Sequence, residues 1–144
     1  MLTQTHAIIL VATLVALIAS VVIHCTVATA LMRRFDGVTS KQSTSMVIMV
    51  LGLFVAHVVE IVLFGAISWL LSQLGGAGSL AGGPVSTIMD YIYFSTVTYT
   101  TLGYGEIYPV GAIRFIFGTE ALIGFMLITW SASVTFLQMQ RLWR

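Results

Sequence analysis

Ten consecutive residues, Thr100-Thr101-Leu102-Gly103-Tyr104-Gly105-Glu106-Ile107-Tyr108-Pro109, form a short polar run inside an otherwise oily chain. Their chemistry lies in the main chain. A monovalent cation sheds its hydration shell only where oxygen atoms replace the water at similar distance and strength. Successive backbone carbonyls aimed at one axis can do this. L-residues resist the alternating dihedrals that such a row requires, whereas glycine accepts positive φ at little steric cost. Gly103 and Gly105 stand two apart, the spacing that lets alternate peptides turn inward. Thr101 adds a hydroxyl at the inner end of the row. Leu102 and Tyr104 are expected to point away from the ion and wedge the loop against a supporting helix. The bland alternative is a Gly-Tyr-Gly turn of no special purpose.

A second set of reactive types is His57, Glu60 and Glu120, each inside a long apolar segment. A charge at the bilayer centre costs at least about 2.5 kcal/mol on insertion scales, so such groups face a partner or water. His57 and Glu60 are three apart and share a helix face. Glu120, at comparable depth on the last segment, is within reach of them. One reading is a proton- or divalent-sensitive element. The plainer one, which the sequence favours, is a buried hydrogen-bonded clamp, with Glu120 neutral or bonded to a threonine such as Thr98. Two or three uncertain ligands are too few for a metal site, and none is assigned. His6 and His24 read as interfacial or packed residues rather than ligands.

The elements that must position these groups are set by composition. The chain has 144 residues, 58% hydrophobic and 8% charged, with a mean hydropathy of +1.03. Those values describe a small integral membrane protein. A net charge of +1 argues against a nucleic-acid partner, and Cys25, alone, cannot form an intrachain disulfide. Three apolar segments are each long enough to cross ~30 Å of hydrocarbon, which takes about 20 residues. The first covers about 6–32. Ala28-Thr29-Ala30 looks like a signal-peptide cleavage site, but the stretch is too long and lacks a basic leader, so an anchor is expected. The second covers 45–74 and the last 112–138.

Arg33, Arg34 and Lys41 flank a turn at Asp36-Gly37, and Arg141 and Arg144 follow the last segment. By the positive-inside rule both basic groups lie in the cytoplasm, which puts the N-terminus outside and the C-terminus inside. Residues 75–84 read as a flexible, glycine-rich outer loop. Thr87 and Asp90 form a capping box that opens a helix over 88–100, too short to span. That helix must enter from outside and stop partway, which is tolerated only within surrounding protein. Tyr91, Tyr93, Tyr108 and Trp69 are expected in an outer aromatic belt, and Trp143 in an inner one. The expected class is an all-α membrane protein of three transmembrane helices plus a re-entrant helix and loop. Residues 1–44 would hold the first helix and a cytoplasmic loop, and 45–144 a pore domain.

Thr101-Leu102-Gly103-Tyr104-Gly105 resembles the Thr-Val-Gly-Tyr-Gly selectivity filter of potassium channels. The resemblance covers about Met46 to Met139 and is nearest to the small prokaryotic pore-only channels, with one extra N-terminal helix. It implies an outer helix over 45–74, a pore helix over 88–100, a filter over 101–105 and an inner helix over 112–138. It also implies a homotetramer around a central ion path in a prokaryotic plasma membrane. Potassium would be the permeant ion, held at Thr101, Leu102, Gly103 and Tyr104, with no further cofactor. Thr98, Thr100 and Thr101 match the threonines at the base of the family's filter, and Gly124 falls at its inner-helix hinge. Two departures stand out. Leu102 replaces a valine and loses its β-branched stiffness, and Glu106 replaces an aspartate behind the filter. Tyr93 is the candidate donor to that carboxylate.

The implied function is passive, potassium-selective conduction. The alternatives are a weakly selective monovalent cation channel and a non-conducting scaffold or auxiliary subunit. None of the segments carries the three-residue arginine spacing of a voltage sensor. No nucleophile–base pair, nucleotide loop or metal cluster suggests an enzyme.

Overall fold

A computed structural model describes residues 4–35 and 42–142. The Asp36-Gly37 turn, Lys41, Trp143 and Arg144 lie outside the described residues. Four helices and one small ribbon follow in the order α1 (Gln4–Arg34), α2 (Gln42–Ser72), β1 (Ser79–Ala81), α3 (Ile88–Tyr99), β2 (Tyr108–Val110) and α4 (Arg114–Leu142). Helices α1, α2 and α4 are long and apolar enough to cross a membrane. Arg33 and Arg34, expected in the polar connection, form the last turn of α1.

The long helices are built inside out. On α1 the buried residues are Ile9, Thr13, Ala16, Ser20, His24 and Ala28, one narrow stripe at spacings of three and four made mostly of small side chains. Val11, Leu14, Val15, Ile18 and Val22 face outward instead. In lipid the apolar side chains gain nothing by turning inward, so helices pack through small residues that let backbones approach. The stripe seats α1 on α2 and α4 of its own chain. Gly52 of α2 gives Leu31 of α1 its room, since a Cβ there would stand 2.8 Å from Leu31 Cδ1.

Two apolar clusters sandwich a polar layer. One holds Ile9, Ala16, Phe64, Ile113, Phe117 and Leu127 among others. The second holds Ala28, Met49, Leu53 and Val134. Between them along each long helix lie His24 of α1, His57 and Glu60 of α2, and Ser131 of α4.

Helix α3 starts where Asp90 Oδ2 accepts hydrogen bonds from the Ser86 and Thr87 backbone N–H groups and the Thr87 hydroxyl, at 2.9, 2.8 and 2.9 Å. Those bonds satisfy donors that a helix start leaves orphaned. They hold the Asp90 carboxyl below the usual carboxylate range, the Ser86 bond contributing most. Gly65 of α2 lets α3 come close, because a Cβ there would meet Ile92 Cα at 2.8 Å.

Two expectations are corrected here. Residues 75–84 do not form a loose loop. They contain β1, which pairs antiparallel with β2 in the register Ser79↔Val110, Leu80↔Pro109 and Ala81↔Tyr108. Ala77 is fully buried, and its carbonyl accepts the Ile113 N–H at 2.9 Å. Gly78 is what permits the pairing, with φ +94 and a would-be Cβ 1.9 Å from the Val110 carbonyl oxygen. Tyr91, expected in an aromatic belt, is instead packed in the first cluster, because the rotation of α3 turns it inward.

Candidate functional site

The run from Thr100 to Ile107 connects α3 to β2. Its first residues close α3 with a Schellman motif: the Leu102 N–H reaches the Val97 carbonyl at 3.0 Å and the Thr101 N–H reaches that of Thr98 at 2.9 Å. Such a motif needs a left-handed residue just past the cap, usually glycine. Here it is Thr101, with φ 56, the only non-glycine residue at positive φ among the described residues. A β-branched side chain in that region is a genuine outlier, and strain of this kind persists only where the surroundings or the chemistry require it.

The handedness then alternates. Gly103 and Gly105 have φ 55 and 89, while Leu102 and Tyr104 stay at negative φ. Among the described residues of the single chain, apart from the immediate chain neighbours, no atom lies within 4 Å of a Cβ placed on Gly103 or Gly105. Within one chain, then, conformation and not crowding selects glycine. Residues 101–106 are all exposed on the single chain. Leu102 and Tyr104, expected to wedge against the supporting helix, are 56% and 68% exposed on the single chain.

Behind the loop, Tyr93 Oη donates to Glu106 Oε1 at 2.5 Å. That bond holds the Glu106 carboxyl below its usual range, helped by a backbone bond. It also pushes the Tyr93 hydroxyl up. Thr100 donates its hydroxyl to the Thr96 carbonyl at 2.8 Å, and Thr98 is half-buried.

The polar layer forms a closed ring. His24 Nδ1 lies 3.0 Å from Glu60 Oε1. His24 Nε2 lies 3.0 Å from Ser131 Oγ, which lies 3.0 Å from His57 Nε2. His57 Nδ1 lies 2.9 Å from Tyr99 Oη, whose hydroxyl donates to Glu60 Oε2. His57 Nδ1 is also 3.4 Å from that same carboxylate oxygen. Five contacts need five protons. Two hydroxyls and two neutral imidazoles supply four, so the ring is complete when a fifth sits on Glu60 or an imidazole, and the assembly is then electrically neutral. That suits a dry interior, where a lone charge is costly.

Glu120 stands apart from this ring. Fully buried on α4, it is bonded to the Ser95 hydroxyl, not to Thr98. Ser95 Oγ also donates to the Ile61 carbonyl at 2.8 Å. One hydroxyl carries one proton, so with Ser95 donating to Ile61 the Glu120 contact takes its proton from the carboxyl. In that arrangement Glu120 is a neutral acid, and the contact clips α4 and α3 to α2. Gly124 lies within an unbroken α4, at its close contact with Tyr99.

Of the residues singled out in the sequence, His57 and Glu60 meet, and so do Tyr93 and Glu106. His24, set aside as a packed residue, is a full member of the ring, and Tyr99 and Ser131 were not singled out. The available signal for His24 is its place on the small-residue stripe of α1, four residues from Ser20 and from Ala28.

A family model described as an ion channel matches residues 56–141, more than half of the chain. Protein LctB of Geobacillus stearothermophilus is 41% identical over 49 residues, which cover 34% of this chain. The chain spans 37% of the length of that curated relative. No solved structure matches it.

Proposed function

Because the chain belongs to this ion-channel family, a family of membrane proteins that conduct ions passively, we propose that it is a potassium-selective channel whose filter is residues 101–105. The observation that carries this reading is the alternation of positive φ at Thr101, Gly103 and Gly105. Alternating handedness turns successive peptides so that their carbonyls share one side, which is what a dehydrated cation needs. Thr101 supports it further. Glycine would fill that position without strain, so a threonine there is retained for its hydroxyl, at the inner end of the row.

One chain supplies one such row, and a closed ring around potassium takes four. We therefore propose a homotetramer. The exposed Leu102 and Tyr104, with Leu122, Phe125 and Met126 on α4, are the apolar surface that neighbouring copies would cover. Helix α3, 12 residues and ~18 Å long at 1.5 Å per residue, is too short to cross ~30 Å of hydrocarbon. It re-enters from outside, with its C-terminal partial negative charge aimed at the ion. Arg33 and Arg34 in the last turn of α1 and Arg141 in the last turn of α4 belong to the cytoplasmic side. A prokaryotic plasma membrane is the location proposed.

The test is reconstitution in liposomes under opposed potassium and sodium gradients. The reversal potential should follow potassium, and the purified protein should run as a tetramer. A reversal potential midway between the two ions would assign it to weakly selective cation channels. Absence of flux from intact tetramers would make it a scaffold.

A further inference from the structure

We propose that His24, His57, Glu60 and Tyr99 form a buried site for one divalent transition metal of the zinc class, with Ser131 holding both imidazoles in place. His24, His57 and Glu60 bring ligand atoms within 4.8 Å of one another. The separations suit a small tetrahedral ion. A tetrahedron with metal–ligand bonds of about 2.0–2.1 Å has edges of about 3.3 Å. The ring has 3.0 Å from His24 Nδ1 to Glu60 Oε1, 3.4 Å from His57 Nδ1 to Glu60 Oε2 and 2.9 Å from His57 Nδ1 to Tyr99 Oη. Each is within a few tenths of an ångström of such an edge. The two Glu60 edges use different carboxylate oxygens, so the carboxylate turns to present one of them. Tyr99 Oη, hydrogen-bonded to Glu60 Oε2, moves further from it once the metal replaces the proton.

The supporting contact is what distinguishes a metal site from a chance cluster. A metal-bound histidine gives its other ring N–H to a fixed acceptor. Here both Nε2 atoms reach the same hydroxyl at 3.0 Å, and Ser131 Oγ has two lone pairs, one for each. With both Nε2–H groups donating to Ser131, as the metal-bound arrangement requires, both Nδ1 atoms are bare and face Glu60 together. In the metal-free ring one Nδ1 carries a proton that shifts to Nε2.

The charges also balance. A 2+ ion against the Glu60 carboxylate and a Tyr99 phenolate is neutral. The complete ring is neutral as well, so one metal ion enters as two protons leave, one the Tyr99 hydroxyl proton and the other the fifth proton of the ring. No net charge is added to the dry layer. His57 and Tyr99 also line an apolar groove of about 340 Å³ with Phe54, Ile61 and Thr96. Two imidazole nitrogens select zinc-class ions over calcium and magnesium, which demand oxygen ligands. A bound ion would tie α1, α2 and α3 together directly, and α4 through Ser131; its α3 ligand, Tyr99, is one residue before the loop begins at Thr100.

The full chain in detergent, stripped with chelator and loaded with zinc alone, should retain one zinc per chain after gel filtration and unfold at a higher temperature. Cobalt in its place should give the strong visible absorption of a tetrahedral centre. His24→Gln and Glu60→Gln should abolish retention. Ser131→Ala, which keeps every ligand, should weaken zinc binding 10–100-fold, and it decides the matter if a ligand variant fails to fold. Failure of the native chain to hold one zinc per chain, or an unchanged affinity in Ser131→Ala, overturns the proposal. Neither measurement involves ion flux, so the site stands or falls separately from the channel reading.

Discussion

The backbone carbonyl of Tyr99 lies directly against Gly124: a Cβ at residue 124 would stand 2.3 Å from that oxygen and 2.9 Å from Tyr99 Cγ. The glycine at the expected hinge position is thus the place where α4 comes close enough to hold the last turn of α3. Tyr99 in turn places Thr100 and Thr101. Packing of α4 and geometry of the loop are joined through one missing methyl group.

Gly124→Ala should therefore push α4 and α3 apart, even though alanine is the better helix former by ~1 kcal/mol. Overpacking of this kind costs about 1–3 kcal/mol, and the thermal midpoint in detergent should fall. Gly118→Ala on the same helix is the comparison, because among the described residues nothing outside the helix's own backbone lies within 4 Å of its would-be Cβ. Equal melting of the two variants would show that residue 124 is not a contact point.

The Ser95–Glu120 clip gives a second expectation. If the carboxyl carries a proton, Glu120→Gln keeps shape, neutrality and a donor toward Ser95, and should change stability by less than about 1 kcal/mol. Ser95→Ala removes the acceptor and leaves a buried acid group unsatisfied, at a cost of about 1–3 kcal/mol. Infrared spectra should contain a protonated-carboxyl band that disappears in Glu120→Gln. No such band in the native protein would mean an ionised Glu120.

The contrast between Gly124 and Glu120 shows what a sequence carries. Three apolar helices are legible because hydropathy sums over some 20 residues, and the start of α3 is legible because Thr87 and Asp90 are neighbours. The glycine spacing at 103 and 105 announces a conformation. What escaped depends on rotation and distant pairing. Tyr91 could face lipid or core until α3 is turned. The partners of β1 lie 27 to 31 residues on, beyond any local pattern. His24 looked like a packed side chain because Glu60 and Ser131 reach it only once α1, α2 and α4 are docked.

Glu106 and Tyr93 set a pH window for the loop. The fold holds the Glu106 carboxyl below its ordinary value of 4.5, so its contribution is present above that value and fades as pH falls through the lower folded one. It holds the Tyr93 hydroxyl above its ordinary 10.0, so that contribution is complete below 10.0 and fades as pH rises through the higher folded value. The pair supports the loop across neutral pH. Tyr93→Phe removes the donor, and the Glu106 titration, followed by carboxylate infrared absorption, should move upward. An unmoved titration would mean that the bond is not made in solution.

Thr101 offers the sharpest separation of stability from conduction. A left-handed conformation costs an L-residue about 1–2 kcal/mol, and glycine avoids that cost but loses more chain entropy on folding, by about 0.5–1 kcal/mol. Thr101→Gly should therefore leave stability unchanged or raise it by up to about 1.5 kcal/mol. It also deletes the hydroxyl at the inner end of the carbonyl row, so selectivity for potassium over sodium should fall in the liposome assay. Thr101→Ser restores the hydroxyl and should restore selectivity. Thr101→Ala, with neither hydroxyl nor relief of strain, should lose selectivity without gaining stability. If the glycine variant conducts as selectively as the native chain, the strained threonine is not retained for its oxygen.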